Sequence, residues 1–177
     1  AELMIEIGNG VGRAVTAVLS AMSQPLGLAV GNALEVQEAI DCLQGGGPAD
    51  LREHCLAIAG EMLLLGGVAQ DAAAARALAE EQLVSGRAEA KFEEWIAAQG
   101  GNPRIAHQRD LLPHAPEQLV VKADRTGYVE RLDAREFGLA CVALGGGRER
   151  KEDVIDPAVG LLLHVKVGDC VAQGDAL

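Results

Sequence analysis

The sequence predicts an α/β fold in two modules, on three observations. Ala14-Val15-Thr16-Ala17-Val18-Leu19 is a near-continuous apolar run set between two helical patterns, the mark of a parallel strand covered on both faces. Helical patterns occupy most of the next eighty residues. From Gln118 onward, strand patterns broken by Gly-bearing turns take over.

The elements follow in order. Ala1 to Gly8 is already helical in pattern, and Gly8-Asn9-Gly10-Val11-Gly12 reads as its stop and turn. That GxGxG run follows a helix and precedes a strand, the wrong order for a dinucleotide fingerprint. Ser23 to Ile40, SQPLGLAVGNALEVQEAI, is an apolar, glycine-bearing loop running into a helix. Asn32 is the expected N-cap, with Glu35 closing a capping box and Val36, Ala39, Ile40 and Leu43 on the buried face. Glu38 falls about 200° round from Val36 at the ordinary helical pitch. A carboxylate there, beside a loop rich in carbonyls, has the makings of a site for a hard cation, though spacing alone favours a solvated helical Glu.

Ala49 to Leu65 predicts a helix with a Leu51, Cys55, Ile58, Met62 stripe. Leu56, Leu63, Leu64 and Leu65 spread its apolar surface almost all round, so it needs cover on more than one side. Helices are also expected over Asp71 to Ser85 and over Ala88 to Ala98, the latter with Phe92, Trp95 and Ile96 on one face. Gly100-Gly101-Asn102-Pro103 ends the helical region. A lone strand at Ala14 to Leu19 cannot make a sheet, so its partners are expected on polypeptide outside this chain, which reads as a fragment.

In the second module, Gln118 to Val121 and Tyr128 to Leu132 read as strands around an Asp124-Arg125-Thr126-Gly127 turn. Ala134 to Leu144 is a short helix with Phe137, Ala140, Cys141 and Leu144 inward, ended by Gly145. Val159 to Leu177 then gives strand, Gly168-Asp169 turn, Val171 and Gly174-Asp175-Ala176-Leu177, the hammerhead signature of lipoyl- and biotinyl-type barrels. Such a barrel needs one more strand after Leu177. The expected division is 1–112 and 113–177.

Composition narrows the function. Net charge is −11 and aromatics are 2%, so neither a phosphate-backbone partner nor a base-stacking platform is expected. Cys42, Cys55, Cys141 and Cys170 contain no CxxC pair and read as free thiols. No run of eighteen apolar residues and no signal pattern occurs, and a cytoplasmic protein is expected.

The Ser23–Ile40 stretch closely resembles the pyrimidine-nucleoside and thymidine phosphorylases, whose pattern there is D-M-x-Q-P-L-G-x-x-x-G-N-A-x-E-V-x-E-A. Ala21 stands where that family has Asp. Two further motifs follow in the family's order. KFEEWIAAQGG at Lys91 to Gly101 is similar to K-F-x-x-x-x-x-A-Q-G-G, and LGGGRERKEDVIDPAVG at Leu144 to Gly160 to L-G-x-G-R-x-x-K-x-D-x-I-D-x-x-V-G. The resemblance implies the rear part of the phosphorylase α/β catalytic domain followed by a C-terminal α/β-hammerhead domain.

It further implies a homodimeric pentosyltransferase that cleaves thymidine, uridine or deoxyuridine with inorganic phosphate, giving free base and (deoxy)ribose-1-phosphate. The family's K-H-S-T-G-G-V-G-D phosphate loop and its R-D-x-T-A-T-V base segment do not occur in the chain, so no catalytic residue is carried over and the chain alone is expected to be inactive. What the resemblance does carry over is a potassium site. The carbonyls of Leu26 and Ala29 and the carboxylate of Glu38 are its ligands by motif position, and its remaining ligands are expected from the phosphate loop that the chain does not contain.

Other features read plainly. His54, His107, His114 and His164 show no metal spacing, and Glu80-Glu81 and Glu93-Glu94 are solvated helix faces. Gly145-Gly146-Gly147-Arg148 is a connecting loop. A lipoyl- or biotinyl-like carrier, or a structural interaction module, is the rival reading. Lys151 lies on the appropriate side of the hammerhead pattern but lacks the Met-Lys-Met or Asp-Lys-Ala setting that modifying enzymes recognise.

Overall fold

The computed structural model describes all 177 residues. Helix α1 (Glu2–Gly10) leads, then strand β1 (Ala29–Val30) and helices α2 (Asn32–Leu43), α3 (Ala49–Leu65), α4 (Ala72–Val84) and α5 (Arg87–Ala98). Two 3-10 turns, Pro103–Ala106 and Arg109–Leu111, close the helical part. Strand β2 (Gly127–Tyr128), helix α6 (Ala134–Cys141), a π turn (Val142–Gly146) and strands β3 (Leu161–Leu162) and β4 (Cys170–Val171) complete the chain. Helix and strand are mixed, as the expected α/β class requires.

The helices form because local signals suffice. In α4 the Asp71 carboxylate accepts from the Ala74 N–H at 2.8 Å, and in α6 Asp133 accepts from Arg135 and Glu136. Helices α3 and α4 approach closely at Gly60, whose Cβ position lies 3.9 Å from the Ala75 Cβ; Leu56 and Gly60 are buried on one helix, Ala75 and Ala79 on the other. The expected α3 stripe is therefore rotated. Met62 is 68% exposed, because the Ala-lined face of α4 is met by the side of α3 that carries Gly60.

The N-terminus of α2 is corrected by one residue. The first intrahelical bond runs from the Glu35 N–H to the Gly31 carbonyl, so Gly31 rather than Asn32 is the N-cap. Glu35 still reaches back, its carboxylate accepting from the Gly31 N–H at 2.9 Å. Asn32 instead donates to the Gly146 carbonyl at 3.1 Å. Gly31 is required twice over. Its φ is +138°, and a Cβ there would lie 2.6 Å from the Val159 carbonyl oxygen and 2.8 Å from the Gly160 Cα.

Expected strands fare worse. Ala14 to Leu19 forms no strand: it runs as irregular chain with Leu19 85% exposed, since no second segment lies alongside to take its hydrogen bonds. Gln118 to Val121 is also irregular, pairing only at its end, where Lys122 bridges Ala176. Of Tyr128 to Leu132 only Tyr128 is in a strand, and Leu144 of the expected inward face of α6 is 56% exposed.

The sheets are two antiparallel pairs, β1 with β3 and β2 with β4. The first joins the loop before α2 to the 159–177 segment, in register Ala29 to Leu162 and Val30 to Leu161. The second, with its Gly168 turn, covers a small core of Ala123, Val165 and Val171, with Val129 packed against it. A compact monomer of this size would expose about 8,200 Å². This chain exposes 12086 Å², about half as much again, and buries 16 of its 177 residues. Leu3, Met4, Ile7 and Val11 of the α1 region and Leu19 and Met22 contribute to that excess.

Candidate functional site

The Pro25–Ala29 loop is gripped from three sides. On one side Glu38, half-buried on α2, accepts the N–H groups of Leu28 at 2.7 Å and Ala29 at 3.1 Å, both on the same carboxylate oxygen, Oε1. On another, Asp50 in the first turn of α3 accepts the Gly27 N–H at 3.2 Å. From the far end of the chain, the Lys166 ammonium donates to the carbonyls of Pro25, at 2.6 Å, and Gly27, and pairs with Asp50 at 2.8 Å.

Gly27 makes this convergence possible. Its φ is +69°, and a Cβ would sit 2.1 Å from Glu38 Oε2. The absence of a side chain is what lets the Glu38 carboxylate lie against the loop.

What the predicted ligands already do tests their fitness for a cation. The Leu26 carbonyl accepts no hydrogen bond within the chain, and neither does Glu38 Oε2. Ala29 lies in an antiparallel ladder in which the Leu163 N–H donates to Leu28, so the ladder bonds fall on residues 28 and 30. Both polar groups of Ala29 therefore face away from β3: its N–H goes to Glu38, and its carbonyl is turned to the same side of the strand. Three hard oxygen donors with spare lone pairs suit a hard cation. The Pro25 and Gly27 carbonyls, which already cradle an ammonium, show that this loop presents oxygens to positive charge.

Electrostatics agree. Burial raises the Glu38 carboxyl above its ordinary value, against the lowering effect of the two N–H bonds, and nearby Asp50 raises it further. Burial would raise Asp50 as well, but the Lys166 hydrogen bond and the Gly27 N–H bring it below its ordinary value. Glu38 is thus the carboxylate with charge left to neutralise. Burial pushes the adjacent Cys42 thiol up to about 11, so it is no ready nucleophile.

Lys166 and Asp50 were not legible as site residues, because neither sits in a motif and only the fold brings them to the loop. The four cysteines are free thiols as expected, with Cys55 and Cys170 exposed. His107, expected to be unremarkable, joins Glu93 at 2.7 Å and Glu89 at 3.6 Å on the surface of α5. Lys151 lies in an exposed turn whose Glu149 and Arg150 N–H groups bond Asp153. No paired strands flank it, so it does not form the hairpin tip that a carrier lysine needs. No helix is long and apolar enough to cross a membrane.

An open hollow of about 570 Å³ lies between α2, α5 and α6, lined by Val36, Phe92, Trp95, Cys141 and Val142. Phe92 and Trp95 meet there with ring centroids 6.1 Å apart.

Comparison with known proteins gives the family. Residues 1–89 match the glycosyl transferase family a/b domain, and residues 128–177 match the pyrimidine nucleoside phosphorylase C-terminal domain. Pyrimidine-nucleoside phosphorylases of Staphylococcus aureus strains USA300, NCTC 8325 / PS 47 and COL are each 46% identical to it over 177 residues, all of this chain. The chain spans 41% of the length of those relatives. With the glycosyl transferase domain, the phosphorylase C-terminal domain and this identity together, the chain belongs to the pyrimidine-nucleoside phosphorylase family of glycosyl transferases.

Proposed function

We propose that the chain supplies the monovalent-cation loop and the C-terminal hammerhead of a cytoplasmic, homodimeric pyrimidine-nucleoside phosphorylase, of which it is a part. The reaction is phosphorolysis of thymidine, uridine or deoxyuridine. A phosphate oxygen bonds to the anomeric carbon as the glycosidic C–N bond breaks, and the departing base nitrogen takes the bonding pair and a proton. The observation that carries this reading is the Pro25–Ala29 loop with Glu38 folded against it, in a chain of this family.

In that loop the Leu26 and Ala29 carbonyls and Glu38 would hold a potassium ion. Bound there, potassium supplies fixed positive charge that orders the neighbouring phosphate-holding backbone. This chain's own residues do the positioning: Glu38 fixes Leu28 and Ala29, Asp50 fixes Gly27, and Lys166 ties the loop to the second module. The hammerhead reading is supported by the β2–β4 pair, the turns at Gly168 and Gly174, and the Ala123, Val165, Val171 core.

The test is a chimera in which this chain replaces the matching segment of the Staphylococcus aureus enzyme. Phosphate-dependent release of uracil or thymine at about 1 per second or more is expected. A folded chimera that releases no base above background would overturn the assignment.

A further inference from the structure

Three formal charges converge on five residues of loop. Glu38 and Asp50 contribute two negative charges and Lys166 one positive, so the cluster carries a net charge of −1. The neighbouring Asp41 does not add to it, because Arg109 pairs with it at 2.7 Å. Lys166 is well shielded, its side chain 19% exposed, and it engages the carbonyls on either side of Leu26, leaving the Leu26 oxygen free.

We propose that Lys166 and Asp50 set the charge of the ion this loop accepts, holding it to a monovalent cation. The inference rests on the reading of Leu26, Ala29 and Glu38 as ligands. One monovalent ion brings the cluster to neutrality, whereas a divalent ion would leave a net positive charge in a partly desolvated place. The ammonium also restricts the ligand count. With Lys166 in place, the oxygens of Pro25, Gly27 and Asp50 are engaged. Without it, the loop offers those three besides Leu26, Ala29 and Glu38, at a net charge of −2. Carbonyl oxygens beside two unpaired carboxylates favour a divalent hard cation such as calcium. Lys166 is thus a specificity-determining residue that occupies the second cation position with a tethered charge.

The experiment uses the Staphylococcus aureus chimera described above as wild type, and its variants K166M, D50N and K166M/D50N. Each is titrated with potassium chloride and with calcium chloride at constant ionic strength, read by the amide resonances of Leu28 and Ala29 and by the thermal midpoint. Wild type should respond to potassium more strongly than to calcium. K166M should bind calcium at least tenfold tighter than wild type does, about 1.4 kcal/mol, and prefer it to potassium. D50N, with a neutral cluster, should lose at least tenfold for both ions.

In the double variant Glu38 alone restores the net charge of −1, and the potassium preference should return. A purely structural role for Lys166 predicts weakening for both ions and no such rescue. If K166M fails to fold, D50N and the double variant carry the test. A wild type that responds to potassium, with K166M keeping the same ion order or the double variant failing to regain it, overturns the proposal alone. A wild type silent to both ions overturns the ligand reading and the proposal with it.

Discussion

Replacing Gly27 with alanine separates backbone cost from contact cost at this loop. The backbone term arises because Gly27 has φ +69°, where an L-residue costs about 1–2 kcal/mol. The contact term arises because the new Cβ would lie 2.1 Å from Glu38 Oε2 and 2.9 Å from its Cδ. The carboxylate can swing away, being the end of a flexible side chain, but it then releases the Leu28 and Ala29 N–H groups. A hydrogen bond to a charged group is worth about 1.5–3 kcal/mol, and half-burial puts this shared pair near the lower figure.

Gly67→Ala is the control. Its φ is +66°, nearly the same, and nothing lies within 4 Å of its Cβ position. Urea unfolding should therefore show Gly27→Ala costing about 3 kcal/mol and Gly67→Ala about 1–2 kcal/mol. In a Glu38→Ala background the Gly27→Ala cost should fall to that of Gly67→Ala, since the clash and the bonds are already gone. Equal costs for the two glycines in the wild-type background, or a Gly27→Ala cost unchanged by Glu38→Ala, would refute the reasoning.

Two other outcomes are expected. Without added potassium, Glu38 should titrate above the ordinary carboxyl value of 4.5, because burial raises it, while Asp50, held by Lys166, should titrate below 3.8. The signs differ. Charged Glu38 costs the fold stability, a cost that grows as pH rises through its titration, whereas Asp50 contributes stability that is lost as pH falls through its depressed value. Carboxyl carbon resonances of the two residues check this, and Asp50 titrating first would contradict it. Separately, the exposed apolar surface around α1 and Leu19 should bind a hydrophobic dye and drive concentration-dependent association. A monodisperse monomer that binds no dye would contradict it.

Helices were legible in the sequence and strands were not, for a physical reason. Ala49 to Leu65 was placed to the residue, and α4 and α5 within one residue at their ends, because a helix is closed by bonds four residues apart and by caps such as Asp71. A strand exists only if another segment takes its bonds. Ala14 to Leu19 has the composition of a buried strand and no partner, whereas the unpromising Ala29-Val30 pairs because Leu161-Leu162 reaches it. The candidate site divides the same way. Leu26, Ala29 and Glu38 came from the resemblance of one contiguous stretch. Asp50 and Lys166 come from elsewhere in the chain, and neither periodicity nor motif spacing relates them to the loop. Even the Glu38 contacts were only half visible: its place beside the loop followed from the motif, but its two N–H donors required the turn at Gly27.

The central claim is that Glu38 supplies the charge of a monovalent-cation site serving phosphate binding. Its most direct test is the apparent phosphate affinity of the Staphylococcus aureus chimera and its Glu38→Gln variant, each with potassium and with a large organic cation in its place. An ion at a hundred times its Kd stabilises the ordered loop by about 2.7 kcal/mol, roughly a hundredfold. The chimera should lose phosphate affinity when potassium is withdrawn, and the Glu38→Gln variant should be weak in both conditions. Equal potassium dependence in the two proteins would contradict the account and leave Glu38 as a carboxylate that only braces Leu28 and Ala29.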